Sequence, residues 1–107
     1  MLLRKQTQEQ LNELQKLMQT QGLWQSFPPS PEALQSTQPF GLDSLSATEW
    51  LQWVFIPRMQ ALIDSKQPLP TQIAISPYLE EALKEEPYLP ALLNPIITIE
   101  ALLTNQC

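Results

Sequence analysis

Among the charged residues of this 107-residue chain, Arg58 and Asp43 are the ones whose surroundings give them chemistry to do. Projected at about 100° per residue, the apolar run that follows Ser46 places Arg58 opposite Glu49 and among Ala47, Leu51, Val54, Phe55 and Leu62, on the buried side of a helix. A guanidinium there needs partners, because it does not escape burial by losing its proton and an unpaired buried charge is costly. Asp43, just ahead of the run, is the first acid to name, with free carbonyls near Pro57 or in the preceding loop as the other acceptors. Two roles follow. Arg58 is either an internal brace that ties a loop to the core or the centre of a site for an anion or a peptide carboxylate.

The densest acidic group, Glu80, Glu81, Glu85 and Glu86, raises metal binding or paired-carboxylate chemistry. Against this, Glu80 and Lys84 are spaced as a helix-surface pair, Leu79, Ala82 and Leu83 supply an inward face, and the chain has no histidine to complete a transition-metal site. A solvated face is the simpler reading, although Glu85 and Glu86 at the unfavourable end of a helix dipole also suit a basic partner. Lack of histidine removes the commonest general base, and no serine, threonine or cysteine has an activating neighbour in sequence. There is no glycine-rich phosphate loop, Walker lysine or closely spaced cysteine pair. The sequence therefore predicts a protein without catalytic activity, cofactor or metal. Trp50 and Trp53, three residues apart, read as core, or as the anchor of a protein interface where a ring stays exposed.

The elements that position these residues are helices. The length suits one domain, 1–107, with one core, and two glycines are too few for the turns of an all-β chain. Leu3, Leu11, Leu14, Leu17 and Met18 recur at three- and four-residue steps and predict a helix from Leu2 to about Gln21, stopped by Gly22. From Leu23 to Ser44 the mixture of Trp24, Phe27, Pro28, Pro29, Pro31, Pro39, Phe40 and Gly41 suits no regular element, so a long connection pinned by Trp24, Phe27 and Phe40 is expected. Ser46 and Glu49 have capping-box spacing. The helix they open runs to about Ser65, with a thin polar stripe of Glu49, Gln52, Gln60 and Asp64, and is bent at Pro57. Lys66 to Ile75 is an extended connector, Ser76-Pro77 reads as N-cap and first turn of a short helix to about Glu86, and Leu89 to Leu103 read as a last helix, with Asn94-Pro95 as an alternative start. The fold class is all-α, a bundle of about four helices with a long aromatic and proline-rich loop between the first and second.

The run Ser36-Thr-Gln-Pro-Phe40, then Asp43, then Glu49-Trp-Leu-Gln-Trp-Val-Phe-Ile-Pro-Arg-Met59 and Gln67-Pro-Leu-Pro70, closely resembles the YqcC-like family of small bacterial proteins of unknown function. The likeness covers Ser36 to about Leu83; the first helix agrees in pattern, and the last segment departs through Pro90 and Pro95. The resemblance implies an all-α bundle of about four helices. It also implies a neighbourhood with a tRNA pseudouridine synthase, beside which the family is often encoded and whose name it sometimes borrows. That enzyme class carries an aspartate in an Arg-Leu-Asp context, whereas here the aspartates stand in Leu42-Asp43-Ser44 and Ile63-Asp64-Ser65, which does not match the enzyme and is compatible with a helper bound to the synthase.

A net charge of −5 disfavours direct nucleic-acid or anionic-lipid binding, and the few cations of the first segment, Arg4, Lys5 and Lys16, read as solvated. The start Met-Leu-Leu-Arg-Lys-Gln lacks the apolar core of a signal peptide, and the longest apolar stretch, Trp53 to Pro57, is far short of the ~20 residues that cross a bilayer, so a cytoplasmic protein is expected. Cys107 cannot form an internal disulfide. Two functions are compatible with these features. The first is an interaction module accessory to a tRNA-modifying enzyme, contacting it through Gln38, Pro39 and Phe40 with Trp50, Trp53 and Arg58. The second is a small-anion binder or minor enzyme with a pocket near Arg58 and Asp43.

Overall fold

The computed structural model describes residues 2–35, 40, 45–71 and 73–104, and it is all-α, with no strand among them. Five helices follow one another: α1 (Leu2–Thr20), α2 (Pro31–Leu34), α3 (47–64), α4 (Ser76–Ala82) and α5 (Leu89–Thr104). No described helix is long and apolar enough to cross a membrane.

Helix α1 buries Thr7, Leu11, Leu14 and Met18, a single stripe laid mainly along α5 and secondarily on α3. Gly22 ends it. At φ +73° that residue lets Leu23 N–H reach the Met18 carbonyl at 2.8 Å and its own N–H reach Gln19 at 3.2 Å, the paired closure that satisfies orphan carbonyls at a helix end. Helix α5 runs unbroken through Pro95, as the reading of one helix expected, and the alternative of a new start at Asn94-Pro95 is not taken. Packing explains the tolerance: Pro95 is itself buried beside Leu92, Ile96, Ile99 and Leu103, and burial of that apolar row outweighs one missing ladder bond.

Helix α3 opens as expected. Ser46 Oγ accepts from Glu49 N–H at 3.2 Å, and Glu49 Oε1 accepts from Ser46 N–H at 2.9 Å, a complete capping box. Immediately before Pro57 the helix widens, Leu51–Phe55 adopting π geometry in which Ile56 N–H donates to the Leu51 carbonyl. A widened turn is one way to make room for a proline ring that would otherwise crowd the carbonyl four residues back, here that of Trp53. Continuity is kept through Asp64.

Three sequence expectations are corrected. The connection after α1 contains a turn of helix, α2, which Ser30 caps by accepting from Ala33 N–H at 3.2 Å; its Ser-Pro start is the same signal that marks α4. Phe27 does not pin that connection, since it is 82% exposed, whereas Trp24 and Phe40 do pack on the core. At α4, Ser76 lies inside the first turn instead of capping it, and the cap comes from α5: Glu100 Oε2 accepts from Ile75 N–H at 2.7 Å and Ser76 N–H at 2.9 Å. A carboxylate there also meets the positive end of the helix dipole. The helix then stops at Ala82, four residues short of Glu86.

Arg4 is not a solvated cation. Its Nη2 donates to the carbonyls of Lys66 and Gln67, each at 3.0 Å, where α3 ends with Lys66 held at φ +59°. A non-glycine residue in that conformation is disfavoured, and the guanidinium locks the turn against release while opposing the negative end of the α3 dipole. Arg4→Met should therefore lower unfolding free energy by about 1 kcal/mol, read from urea midpoints, while Lys5→Met leaves it unchanged.

Candidate functional site

The inward direction of α3 is fixed by a polar residue. Gln52, expected on the outer stripe, is only 3% exposed, and it is satisfied by the backbone of Gln25: its Oε1 accepts from Gln25 N–H at 2.7 Å and its Nε2 donates to the Gln25 carbonyl at 2.8 Å. With Gln52 facing in, the buried face becomes Leu51, Gln52, Phe55, Ile56 and Met59, and Arg58 falls on its flank. Arg58 is accordingly exposed, contrary to the burial expected of it, and no hydrogen bond or ion pair engages it among the described residues. Its proposed partner Asp43 lies outside the described residues, as do Gln38 and Pro39. Arg4 makes a different tie, from α1 to the end of α3, and the loop segment around Asp43 that Arg58 was expected to brace lies outside the described residues.

Trp50, Arg58 and Phe40 do come together. They line an open cavity of about 260 Å³ with Phe55 and Met59 of α3 and with Pro70, Ile73, Ala74 and Ile75 of the connector. Three features of the chain build it. The connector is kept out of helix by Pro68 and Pro70 and anchored by buried Leu69 and Ile75, so it returns across α3 as an extended wall. Trp50 stacks on Phe55 with centroids 5.7 Å apart. Phe40, at φ +58°, lies flat on Tyr78 at 4.2 Å and edge-on to Trp50 at 5.0 Å. A left-handed phenylalanine costs on the order of 1–3 kcal/mol, which two aromatic pairs at about 0.5–1.5 kcal/mol each can offset. Burial pushes the Tyr78 phenol above its ordinary value of 10.0, so it remains a neutral hydroxyl at physiological pH. The sequence reading missed Tyr78 and Phe55 as wall residues; aromatic type beside the Ser76-Pro77 start was the available signal for Tyr78.

Trp53 does not join them. Its indole Nε1 donates to Gln25 Oε1 at 2.8 Å, and Gln25 Nε2 reaches Glu49 Oε2 at 3.3 Å, so Trp53 closes a polar clamp around Gln25 instead of lining the cavity. Nothing in the sequence distinguishes Gln25 from its many sister glutamines, which is why the clamp was not expected. Glu49 is held below its ordinary value of 4.5 chiefly by the Ser46 backbone N–H, with smaller help from the Gln25 and Ser46 side chains against the opposing effect of burial.

The acidic group on and after α4 is solvated: Glu80, Glu81, Glu85 and Glu86 are all exposed, and Lys84 pairs with Glu81 at 3.3 Å rather than with Glu80. A second cleft, about 470 Å³ and of mixed polarity, lies between α1 and α5 beside Gln10, Glu13, Leu17, Asn94 and Pro95. The described residues include no group of three or more metal-ligating side chains.

The described residues form a small all-α bundle with an aromatic cavity at its surface and Arg58 among the residues that line it. Residues 6–102 match the DUF446 family, described as tRNA pseudouridine synthase C, and the chain belongs to this family. An uncharacterized protein of Haemophilus influenzae is 54% identical over 103 residues, which cover 96% of this chain and 97% of that one. The uncharacterized protein YqcC of Escherichia coli K12 is 49% identical over 74 residues, 69% of this chain and 68% of its own. The solution NMR structure of YqcC from E. coli superposes with a TM-score of 0.88 at 38% identity, over all of this chain and 92% of that one. A protein named tRNA pseudouridine synthase C from Pectobacterium carotovorum is 46% identical over 65 residues, 61% of this chain but only 17% of its own length.

Two outcomes test the geometry. Gln52→Leu keeps the volume but orphans the Gln25 N–H and carbonyl, and should cost about 2 kcal/mol in chemical denaturation. Glu49→Ala should be less stable than the parent at neutral pH. Because the folded-state carboxyl titrates below 4.5, the gap should persist above that value and close as pH falls through the lower folded value, which a urea series against pH reads directly.

Proposed function

We propose that this protein is a non-catalytic interaction module and that its partner is a tRNA-modifying enzyme of the pseudouridine synthase class. The observation that carries the reading is the P. carotovorum chain: a segment like this one occupies 17% of a longer polypeptide bearing the name tRNA pseudouridine synthase C. A module joined to an enzyme in one chain is a natural candidate to dock on it when separate. The geometry favours the same reading. Aromatic side chains partly open to solvent beside an arginine that no described residue engages have the composition of an interface anchor. Charge agrees as well, since an enzyme that grips tRNA presents basic surface, and a chain of net charge −5 is drawn to such a surface and repelled by the RNA itself.

A second reading, a binder of a small anion, draws on the same Arg58, engaged by no other described residue, at an apolar cavity. Isothermal titration of the purified protein into purified tRNA pseudouridine synthase C separates the two. The module reading expects a stoichiometric complex that weakens about tenfold in Trp50→Ala, with the isolated chain forming no pseudouridine on tRNA. Absence of heat and of co-elution, or pseudouridine formed by the chain alone, overturns it.

A further inference from the structure

The cavity on α3 is specific enough in size and polarity to say what enters it. Its volume of about 260 Å³ exceeds the roughly 150 Å³ that accepts a benzene ring and falls below the roughly 300–1,000 Å³ of drug-sized ligand sites. One bulky side chain fits, whereas a nucleotide does not. The walls are apolar, formed by Phe40, Trp50, Phe55, Met59 and Ile73, so they favour an aromatic or branched aliphatic group. At the rim stands Arg58, the lining residue with a formal charge, exposed and engaged by no other described residue. Arg4 is bonded to carbonyls and Lys84 to Glu81, whereas no described residue occupies the donors of Arg58. Guanidinium forks match carboxylates in geometry.

We infer that the cavity receives a segment of the partner protein in which one large apolar side chain is followed directly by an acidic residue, the apolar group entering between Trp50 and Ile73 and the carboxylate pairing with Arg58. This rests on the interaction-module reading and adds the chemistry of the bound segment.

The probe is a capped peptide with a Phe-Asp centre flanked by glycines, titrated into the full-length protein and followed by NMR at the Trp50 indole and Arg58 Nε–H resonances. Binding should shift both signals. Replacing Phe by Ala in the peptide should weaken it tenfold or more, and replacing Asp by Lys about fivefold. Arg58→Glu, which alters an exposed side chain and leaves the core intact, should reverse the preference so that the Phe-Lys peptide becomes the tighter ligand. No shift with the Phe-Asp peptide, equal affinity for the Asp and Lys peptides, or no reversal in Arg58→Glu overturns the inference. So does a free aromatic carboxylic acid binding more tightly than the peptide, which would mark a small-ligand site. Titration of the synthase into Arg58→Glu distinguishes the two levels: an unweakened complex leaves the module reading standing and sinks this one, while peptide binding without a synthase complex does the opposite.

Discussion

Burial of the Gln52 amide is the constraint from which the rest of the arrangement follows. A primary carboxamide taken from water must recover its hydrogen bonds, and here both are recovered from one backbone unit, Gln25, in the stretch after α1. That reciprocal pair fixes two things together. It pins the long connection at a defined point, and it sets the rotation of α3 about its axis. Once Gln52 faces in, Trp50 and Arg58 are left on the flank toward the connector, where an apolar cavity with a charged rim can form. Trp53 is turned the other way, where its indole completes the enclosure of Gln25.

A comparable division of labour holds at the ends of the helices. Closure of α3 depends on Arg4, some sixty residues earlier in sequence, and closure of α4 at its start depends on Glu100 from the helix that follows. Both are charged groups set against the helix end of opposite sign, and both reach across the bundle. A second α1–α3 tie, the mutual amide pair of Gln8 and Gln60 at 2.8 and 2.6 Å, extends toward Asn12 and Asp64. The polar residues of this glutamine-rich chain thus supply much of its specificity, while burial of Leu11, Leu14, Leu51, Leu79, Leu92, Ile96 and Ile99 supplies the driving force.

What was legible in the sequence follows the same split. Apolar periodicity located α1, α3 and α5 to within a residue or two, and local capping signals placed the starts of α3 and, with a shifted cap, α4, because these depend on neighbours in the chain. Long-range polar pairing was not legible. Gln52 looked like any outer glutamine, so the inward face was centred too near Arg58, which is exposed, while Arg4, read as a solvated cation, ties α1 to the end of α3. The residues proposed for the contact region divide accordingly: Phe40, Trp50 and Arg58 share the cavity, Trp53 does not, and Gln38, Pro39 and Asp43 lie outside the described residues.

The misplacement of Arg58 also changes what the cavity can do. A buried arginine held by Asp43 would have spent its donors within the protein and left a closed, inert wall. Arg58 is instead exposed, displaced to the flank by Gln52 and engaged by no other described residue, and the aromatic rings beside it are held by one another: Phe40 on Tyr78, Trp50 on Phe55. Rings fixed before binding lose little freedom when a partner arrives, and that pre-organisation lets a small apolar patch contribute more to affinity than its area suggests. The strained backbone at Phe40 belongs to the same logic, because a side chain held in a disfavoured conformation by its stacking partners is already placed where a ligand would otherwise have to put it.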